Sequence, residues 1–354
     1  MRTIRSISLP ALALLLAPLA AEAQSGYTIT DLGSLYGNSG ASGVNNSGQV
    51  VGTYYTKYSY ASYLYSSGSL TDLGSPGGFT VQPNHTYSSP NAINDSGQIV
   101  GEYTYNNGHD TMAGAYLYQN GQIQAINMDE AKAINNAGQI VGSDRAGNAA
   151  LYQNGVTTAI KVGAGASANA INSFGQIAGG DGLYAFLYQN GVEQILPPLD
   201  GSKGSIGYGL NNSGIVVGAS GASDNHGHAV YWKNGVPYNI SPSGVNSTAL
   251  AINNSGLIVG YAGLSNGDNM AFVYQNGQMT DLLAGSIWHD GEATAINDSG
   301  QIVGQATLPD GRIHAFLATP NAVPAPGSLL TLGVGAGVML LAARRRRRNA
   351  AARS

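Results

Sequence analysis

The nine-residue string I-N-N-S-G-Q-I-V-G, lightly varied, recurs seven times along this chain of 354 residues, and that recurrence narrows the possible folds more than any other feature. Its copies begin at Val44, Ile93, Ile134, Ile171, Leu210, Ile252 and Ile296, with steps of 37 to 49 residues. A period of this length marks a propeller, a solenoid or an array.

Each repeat reads as two hairpins. The first is apolar, then N-N-S-G or N-D-S-G, then Q-I-V-G. Asn, Asp, Ser and Gly supply tight-turn dihedrals, and Gly48, Gly97, Gly138, Gly175, Gly214, Gly256 and Gly300 mark the turns. The flanking Ile and Val suit a pleated, buried surface. The second hairpin is A-F-L-Y-Q-N-G followed by a strand such as Q-M-T-D-L, as at 271–282 and 185–196. Asn-Gly between apolar runs is the strongest short hairpin signal. Two hairpins give four short strands in about 42 residues, the content of one propeller blade. No 3.6-residue period appears outside the terminal segments, which argues against a helical repeat.

The ends of the repeat region favour a closed ring. Tyr27 to Gly33 reads Y-T-I-T-D-L-G, a fourth strand with no first three before it. His314 to Leu317 is a third strand with no fourth after it. A solenoid would instead need a cap at each end. The expected fold is therefore all-β, a seven-bladed β-propeller closed by its N-terminal strand, from about Tyr27 to Ala318. With strands lettered A to D within a blade, the A–B and C–D turns share one face and hardly vary. The B–C loops and D–A connections share the other face, where length variation concentrates. Variable loops on a rigid scaffold are the usual place for binding, so any ligand is expected there, the near-identical opposite turns being too short to shape a distinctive pocket.

The two ends differ from the repeats in composition. Residues 1–23 carry Arg2 and Arg5, an apolar run and Ala21-Glu22-Ala23, the pattern of a cleaved signal peptide. The repeat region is 24–320. A linker follows at 321–328, then an apolar segment at 329–343 long enough with its flanks to span a bilayer, then a basic tail at 344–354. Arg344 to Arg348 beside that segment read as a positive-inside anchor, which leaves the tail cytoplasmic and the repeats outside. The repeat region itself holds 7 basic and 18 acidic residues, so nucleic acid is a poor partner. With no cysteine, thiol catalysis and disulfides are excluded, and stability must come from buried area and sheet hydrogen bonds.

The I-N-x-x-G-Q-I-V-G and A-F-L-Y-Q-N-G-x-x-T-D-L-G strings together resemble the bacterial extracellular HAF repeats, named for a His-Ala-Phe signature. The resemblance covers all seven repeats, with the triplet intact at His314-Ala315-Phe316 and close at His228-Ala229-Val230. It implies an exported repeat protein and carries no established activity. The C-terminus resembles a PEP-CTERM sorting segment: Val323-Pro324-Ala325-Pro326, an apolar helix, then Arg344 and Arg345, with Ala325 where Glu is usual. That resemblance implies processing by an exosortase-like membrane protease in a Gram-negative bacterium. The domain would then be anchored at the envelope or released to the cell surface or matrix.

Chemistry is sparse. His226 and His228 lack a third ligand at suitable spacing and read as a solvated loop pair. The recurrent Asp31, Asp72 and Asp281 of T-D-L read as structural hydrogen-bonding residues. Glu102, Asp110, Asp290 and Glu292 fall on the variable face, but nothing in the sequence pairs them as glycosidase chemistry requires. No catalytic, metal or cofactor residue is assigned, and the chain is expected not to be an enzyme. The 21 tyrosines are more suggestive. Tyr54, Tyr58 and Tyr60 crowd one B–C loop, Tyr103 begins the next, and Trp288-His289 sits in a D–A connection. Aromatics beside Asn and Ser suit sugar rings. These six residues form the candidate ligand site of a module binding glycan or extracellular polysaccharide. A purely structural matrix component and a propeller polysaccharide hydrolase or lyase are the alternatives.

Overall fold

Twenty-eight strands pair into seven antiparallel four-stranded sheets in a computed structural model of the chain. It describes residues 26–321, apart from 36, 56–59, 75–85, 107–110, 164, 201–203, 222–223, 225 and 243. Ala21 and Ala23, the sorting residues Val323, Pro324, Pro326, Arg344 and Arg345, the apolar segment at 329–343 and Tyr58 all lie outside the described residues. Among those described, no helix is long and apolar enough to cross a membrane.

Strands A to D run Ser39–Val44, Val50–Tyr55, Tyr60–Ser66 and Ser69–Gly74 in blade 1. In blade 2 they are Thr86–Ile93, Ile99–Asn106, Thr111–Gln119 and Gln122–Ala125, and in blade 3 Glu130–Ile134, Ile140–Ser143, Ala149–Gln153 and Val156–Ala159. Blade 4 comprises Ser167–Ile171, Ile177–Gly180, Ala185–Gln189 and Val192–Leu196, and blade 5 Ser205–Leu210, Val216–Gly221, Gly227–Lys233 and Val236–Asn239. Blade 6 comprises Ser247–Ile252, Ile258–Gly263, Asn269–Gln275 and Gln278–Asp281. Blade 7 takes His289–Ile296, Ile302–Thr307 and Ile313–Pro320 from the end of the repeats and Tyr27–Gly33 from the start. Tyr27 pairs with Pro320 and Asp31 with Phe316, so the expected seven-bladed ring closed by its N-terminal strand is what forms.

Each A strand contacts the A strands of both neighbouring blades, so the A strands surround the axis and the D strands form the rim. The core lies between blades. In Q-I-V-G, Ile140 packs toward blade 2 and Val141 toward blade 4. A strand buried on both faces reads as an unbroken apolar pair, and each such side chain contributes roughly 1.5–3 kcal/mol. The glycine ending the string has a steric cause. A Cβ on Gly218 would lie 1.9 Å from the Ile206 carbonyl oxygen of strand A, and on Gly52 2.1 Å from that of Gly40. Strand A bulges beside this approach in every blade, leaving Ser42, Asn91, Lys132, Asn169, Tyr208, Leu250 and Thr294 as the extra residues.

Candidate functional site

The face of the A–B turns is held by side chains reading one blade to the next. Asn172 accepts from the backbone N–H of Phe174 and Gln176 at 3.0 Å each, and its Nδ2 donates to the Asn211 carbonyl at 3.1 Å. The same step runs Asn45, Asn94, Asn135, Asn172, Asn211, Asn253, Asn297 and back to Asn45, a closed ring of seven buried amides. A second, exposed ring follows at the next residue. There Asn46, Asp95, Ser173, Asn212, Asn254 and Asp298 each donate a backbone N–H to the side chain in the following blade. The step from Asn136 has no such acceptor because Ser173 is too short. Hydrogen bonds from Asn46 and Asn136 outweigh the opposing effect of burial and hold the Asp95 carboxyl below its ordinary range.

These rings enclose an axial cup of about 250 Å3, floored by Val44, Ile93 and their counterparts. The turns thus enclose a cup, lined by the same positions of every repeat. The second Asn of the string, read only as turn chemistry, also joins blades. The amides of the inner ring are engaged in that joining, which makes it structural.

The opposite end of the axis carries titratable groups. Asn91, the bulge residue of blade 2, donates to Glu102 at 3.1 Å, and Lys132, the bulge residue of blade 3, lies 3.1 Å from Glu130 and 3.0 Å from Ser167. Burial pushes the Glu102 carboxyl above its usual range, and the nearby Glu130 and Asp129 charges add to this, while Asn91 and Lys132 oppose it. Burial likewise raises Glu292 in blade 7, against a hydrogen bond from Gln305.

The aromatic residues divide between core and surface. Tyr60 is exposed, its ring 6.3 Å from that of Tyr55 and 4.8 Å from that of Tyr87, and Glu102 is near enough to help raise its hydroxyl, after burial. Tyr54 is a correction. It is 1% exposed, packed in the core between blades 7 and 1 with its hydroxyl donating to Asp72 at 2.8 Å, whereas Tyr55, on the blade 2 side, is the last residue of strand B and stands at its open end. Trp288 is a second correction, buried edge-on against Phe316 with ring centroids 6.4 Å apart. Tyr103 is half-buried against the core between blades 1 and 2. His289 is exposed, 3.7 Å from Asp268, on the blade 6 and 7 side of the face, and so is not gathered with Tyr60. Tyr87, read with no role, joins the surface group because strand A of blade 2 extends past the bulge toward the variable face.

The histidines differ from the solvated loop pair expected. His228 is buried on strand C and its Nε2 lies 3.0 Å from Asp224, which also sits 3.5 Å from His226. His314 of the signature is equally buried, its Nδ1 3.0 Å from Asp31 on the closing strand. Among the described residues no group of three or more His, Cys, Asp and Glu could hold a metal ion. Asp31, Asp72 and Asp281 each accept a backbone N–H two residues on, the structural role expected of them.

No family model matches the chain, and no curated protein matches it. Among solved structures, the chain is similar to the β-propeller domain of the Trilobed protease from Pyrococcus furiosus, a propeller described as having an open velcro topology. That match has a TM-score of 0.52 and 9% identity over 82% of this chain and 97% of that one. A Mycobacterium tuberculosis puromycin-hydrolyzing peptidase aligns at 0.49 and 9% over 85% of this chain and 53% of that one. The Aleuria aurantia lectin aligns at 0.39 and 11% over 83% and 99%. At these identities the likeness is one of fold. It corrects the expectation that the chain is not an enzyme: the same fold forms a domain of a protease, so the lack of a linear catalytic motif excludes nothing.

Proposed function

We propose that this chain is an exported β-propeller that binds glycan on its variable face, at the seam between blades 1 and 2. The observation that carries this reading is the Tyr55, Tyr60 and Tyr87 group, with Tyr55 45% and Tyr60 37% exposed, beside the Asn91–Glu102 pair. Phenol rings offer flat partners for the apolar faces of a pyranose, while an amide and a carboxylate serve its hydroxyls. The acidic balance of the repeat region favours neutral or cationic ligands over polyanions. Binding energy concentrates in a few such side chains. The double variant Tyr60→Ala, Tyr87→Ala should therefore lose glycan-array binding while melting as the wild type does. Equal binding by wild type and variant would remove the site, and a wild type that binds no glycan would remove the reading.

The export part rests on the leader and tail. Mass spectrometry should find a mature chain beginning at Gln24 and processed near Pro324 to Pro326, and a product retaining both Met1 and Arg348 would refute it. One observation favours a second reading, in which bound polysaccharide is cleaved. A carboxyl raised by burial beside a second carboxylate is the pattern of a general acid. Glu102→Gln should then abolish the release of reducing ends without abolishing binding, and a wild type that releases none from a polysaccharide it binds would end that reading.

A further inference from the structure

The repeat is regular enough for its departures to be informative, and two of them fall beside one cavity. In blades 2, 3 and 4 the Gln opening Q-I-V-G donates to the Gln of the C–D turn: Gln98 to Gln119 at 2.9 Å, Gln139 to Gln153 at 3.3 Å and Gln176 to Gln189 at 3.0 Å. Blade 6 has Leu257 in place of the first Gln, so Gln275 keeps its place on the turn without that partner. The second departure is the ring closure itself. Six D strands are preceded by the turn glycine of their own hairpin, as Gly277 precedes Gln278–Asp281. In blade 7 the closing strand enters from outside the repeats and Tyr27 stands at that glycine position.

Tyr27 and Leu257 pack on the same core cluster. Tyr27 also borders a cavity of about 210 Å3 lined by Val273, Gln275, Asn276, Gln278 and Thr280. This seam between blades 6 and 7 lies on the face of the turns, away from Tyr60. Among the described residues, the side chains of Gln275, Asn276, Gln278 and Thr280 make no hydrogen bond with the rest of the chain. An uncharged lining of three amides, a hydroxyl and an aromatic ring matches the alternating donors, acceptors and apolar faces of a sugar. The volume is below the roughly 300–1,000 Å3 that encloses larger ligands, so it suits a single ring.

We infer that the seam between blades 6 and 7 is a carbohydrate site for one neutral pyranose unit, separate from the variable-face site and built where the ring closes. Tyr27 supplies the stacking surface, and Gln275, Asn276 and Gln278, all exposed, supply hydrogen bonds, the counterpart of Gln275 being engaged within its own blade in blades 2, 3 and 4.

The test is an NMR titration of the mature chain with the methyl glycosides of glucose, galactose and mannose, up to about 50 mM, far above a millimolar dissociation constant. The readout is the side-chain amide resonances of Gln275, Asn276 and Gln278. At least one glycoside should shift all three, and it should do so equally in Tyr60→Ala, which separates this site from the variable face. Gln278→Ala should weaken the response about tenfold, as the loss of one hydrogen bond would. Leu257→Gln restores the partner of Gln275 with a residue that this position carries in other blades, so it should weaken binding comparably without unfolding the chain. The inference is overturned if none of the glycosides shifts these amides, if Leu257→Gln and Gln278→Ala leave the shifts unchanged, or if Tyr60→Ala abolishes them.

Discussion

The two faces of this propeller use the same strands to different ends. On the face of the turns, seven nearly identical asparagines each satisfy their own turn and reach the next blade, so repetition itself makes the ring. At the bulge positions the residue type varies: Ser42, Asn91, Asn169 and Thr294 reach a carbonyl of the next blade, and Asn91 and Lys132 also meet the carboxylates of Glu102 and Glu130. Near-invariance on the turn face therefore goes with one contact repeated around the ring, and variety at the bulges goes with joints of differing chemistry, two of which also hold a carboxylate.

The largest effect should come from opening the ring. Deleting Tyr27 to Gly33 removes the outer partner of strand C of blade 7, leaves His314 without Asp31, and takes Leu32, 5% exposed, out of the core. A cost of at least about 5 kcal/mol is expected, on the order of 10 °C in melting temperature. Thermal denaturation followed by circular dichroism reads it directly. A deletion variant that melts with the wild type would mean the blades hold together without closure.

Next in size is the close approach of strands A and B. Gly218→Ala places a methyl group against the Ile206 carbonyl and should cost about 3 kcal/mol. Gly227→Ala, at the variable-face end of strand C with no atom nearer than 4.0 Å, should stay within about 0.5 kcal/mol. Urea titration compares the two, and equal losses would show that the steric reading is at fault.

The asparagine rings sharpen the comparison further. Asn172→Ala strands the buried Asn211 carbonyl and two turn N–H groups, for a loss of about 2–4 kcal/mol. Asn212→Ala removes an acceptor from the exposed ring, where water replaces it, and should cost under about 1 kcal/mol. Similar losses at both positions would mean that burial does not separate the two rings.

Much of this was legible in the sequence. The sevenfold count and the orphan strand at Tyr27 suffice for the architecture, because hairpin turns and apolar pairs are local signals and closure is a matter of counting strands. The inter-blade role of the asparagines was not legible, since a turn asparagine and a ring asparagine look alike until the next blade lies beside it. Tyr54 and Tyr55 show why surface sites are harder to read. They are neighbours in sequence and opposite in burial, and because neighbouring blades cover both faces of strand B, position at the strand end and not alternation decides which one reaches water. The weak trace that was available is a Ser six residues before the ring asparagine at Ser39, Ser88, Ser205 and Ser247. Ser39 and Ser205 accept from strand C of the preceding blade and donate to its D-strand end, at Gly33 and Leu196.

The smallest effect is also the one that separates the faces by sign. Burial chiefly, then Glu130 and Asp129, hold Glu102 above the ordinary glutamate range against Asn91 and Lys132. A carboxyl whose folded pKa exceeds its unfolded value binds its proton more tightly when folded. Its contribution is complete below the unfolded pKa and is lost as pH rises through the folded one. Glu102→Gln should therefore raise the melting temperature at pH 7 and leave it unchanged in acid. Asp95, on the turn face, is held below its ordinary range despite burial, by hydrogen bonds from Asn46 and Asn136. Its contribution is present above the unfolded pKa and disappears as pH falls through the lower folded one. Asp95→Asn should thus lower the melting temperature at pH 7 and converge with the wild type in acid. Both shifts should be small, since both groups retain contact with water and solvent screens them. Melting curves of the two variants across pH measure the signs without depending on the magnitudes. A destabilised Glu102→Gln at pH 7 would mean that the carboxylate is integral to the ring and that the variable face has less chemistry to spare than its geometry implies.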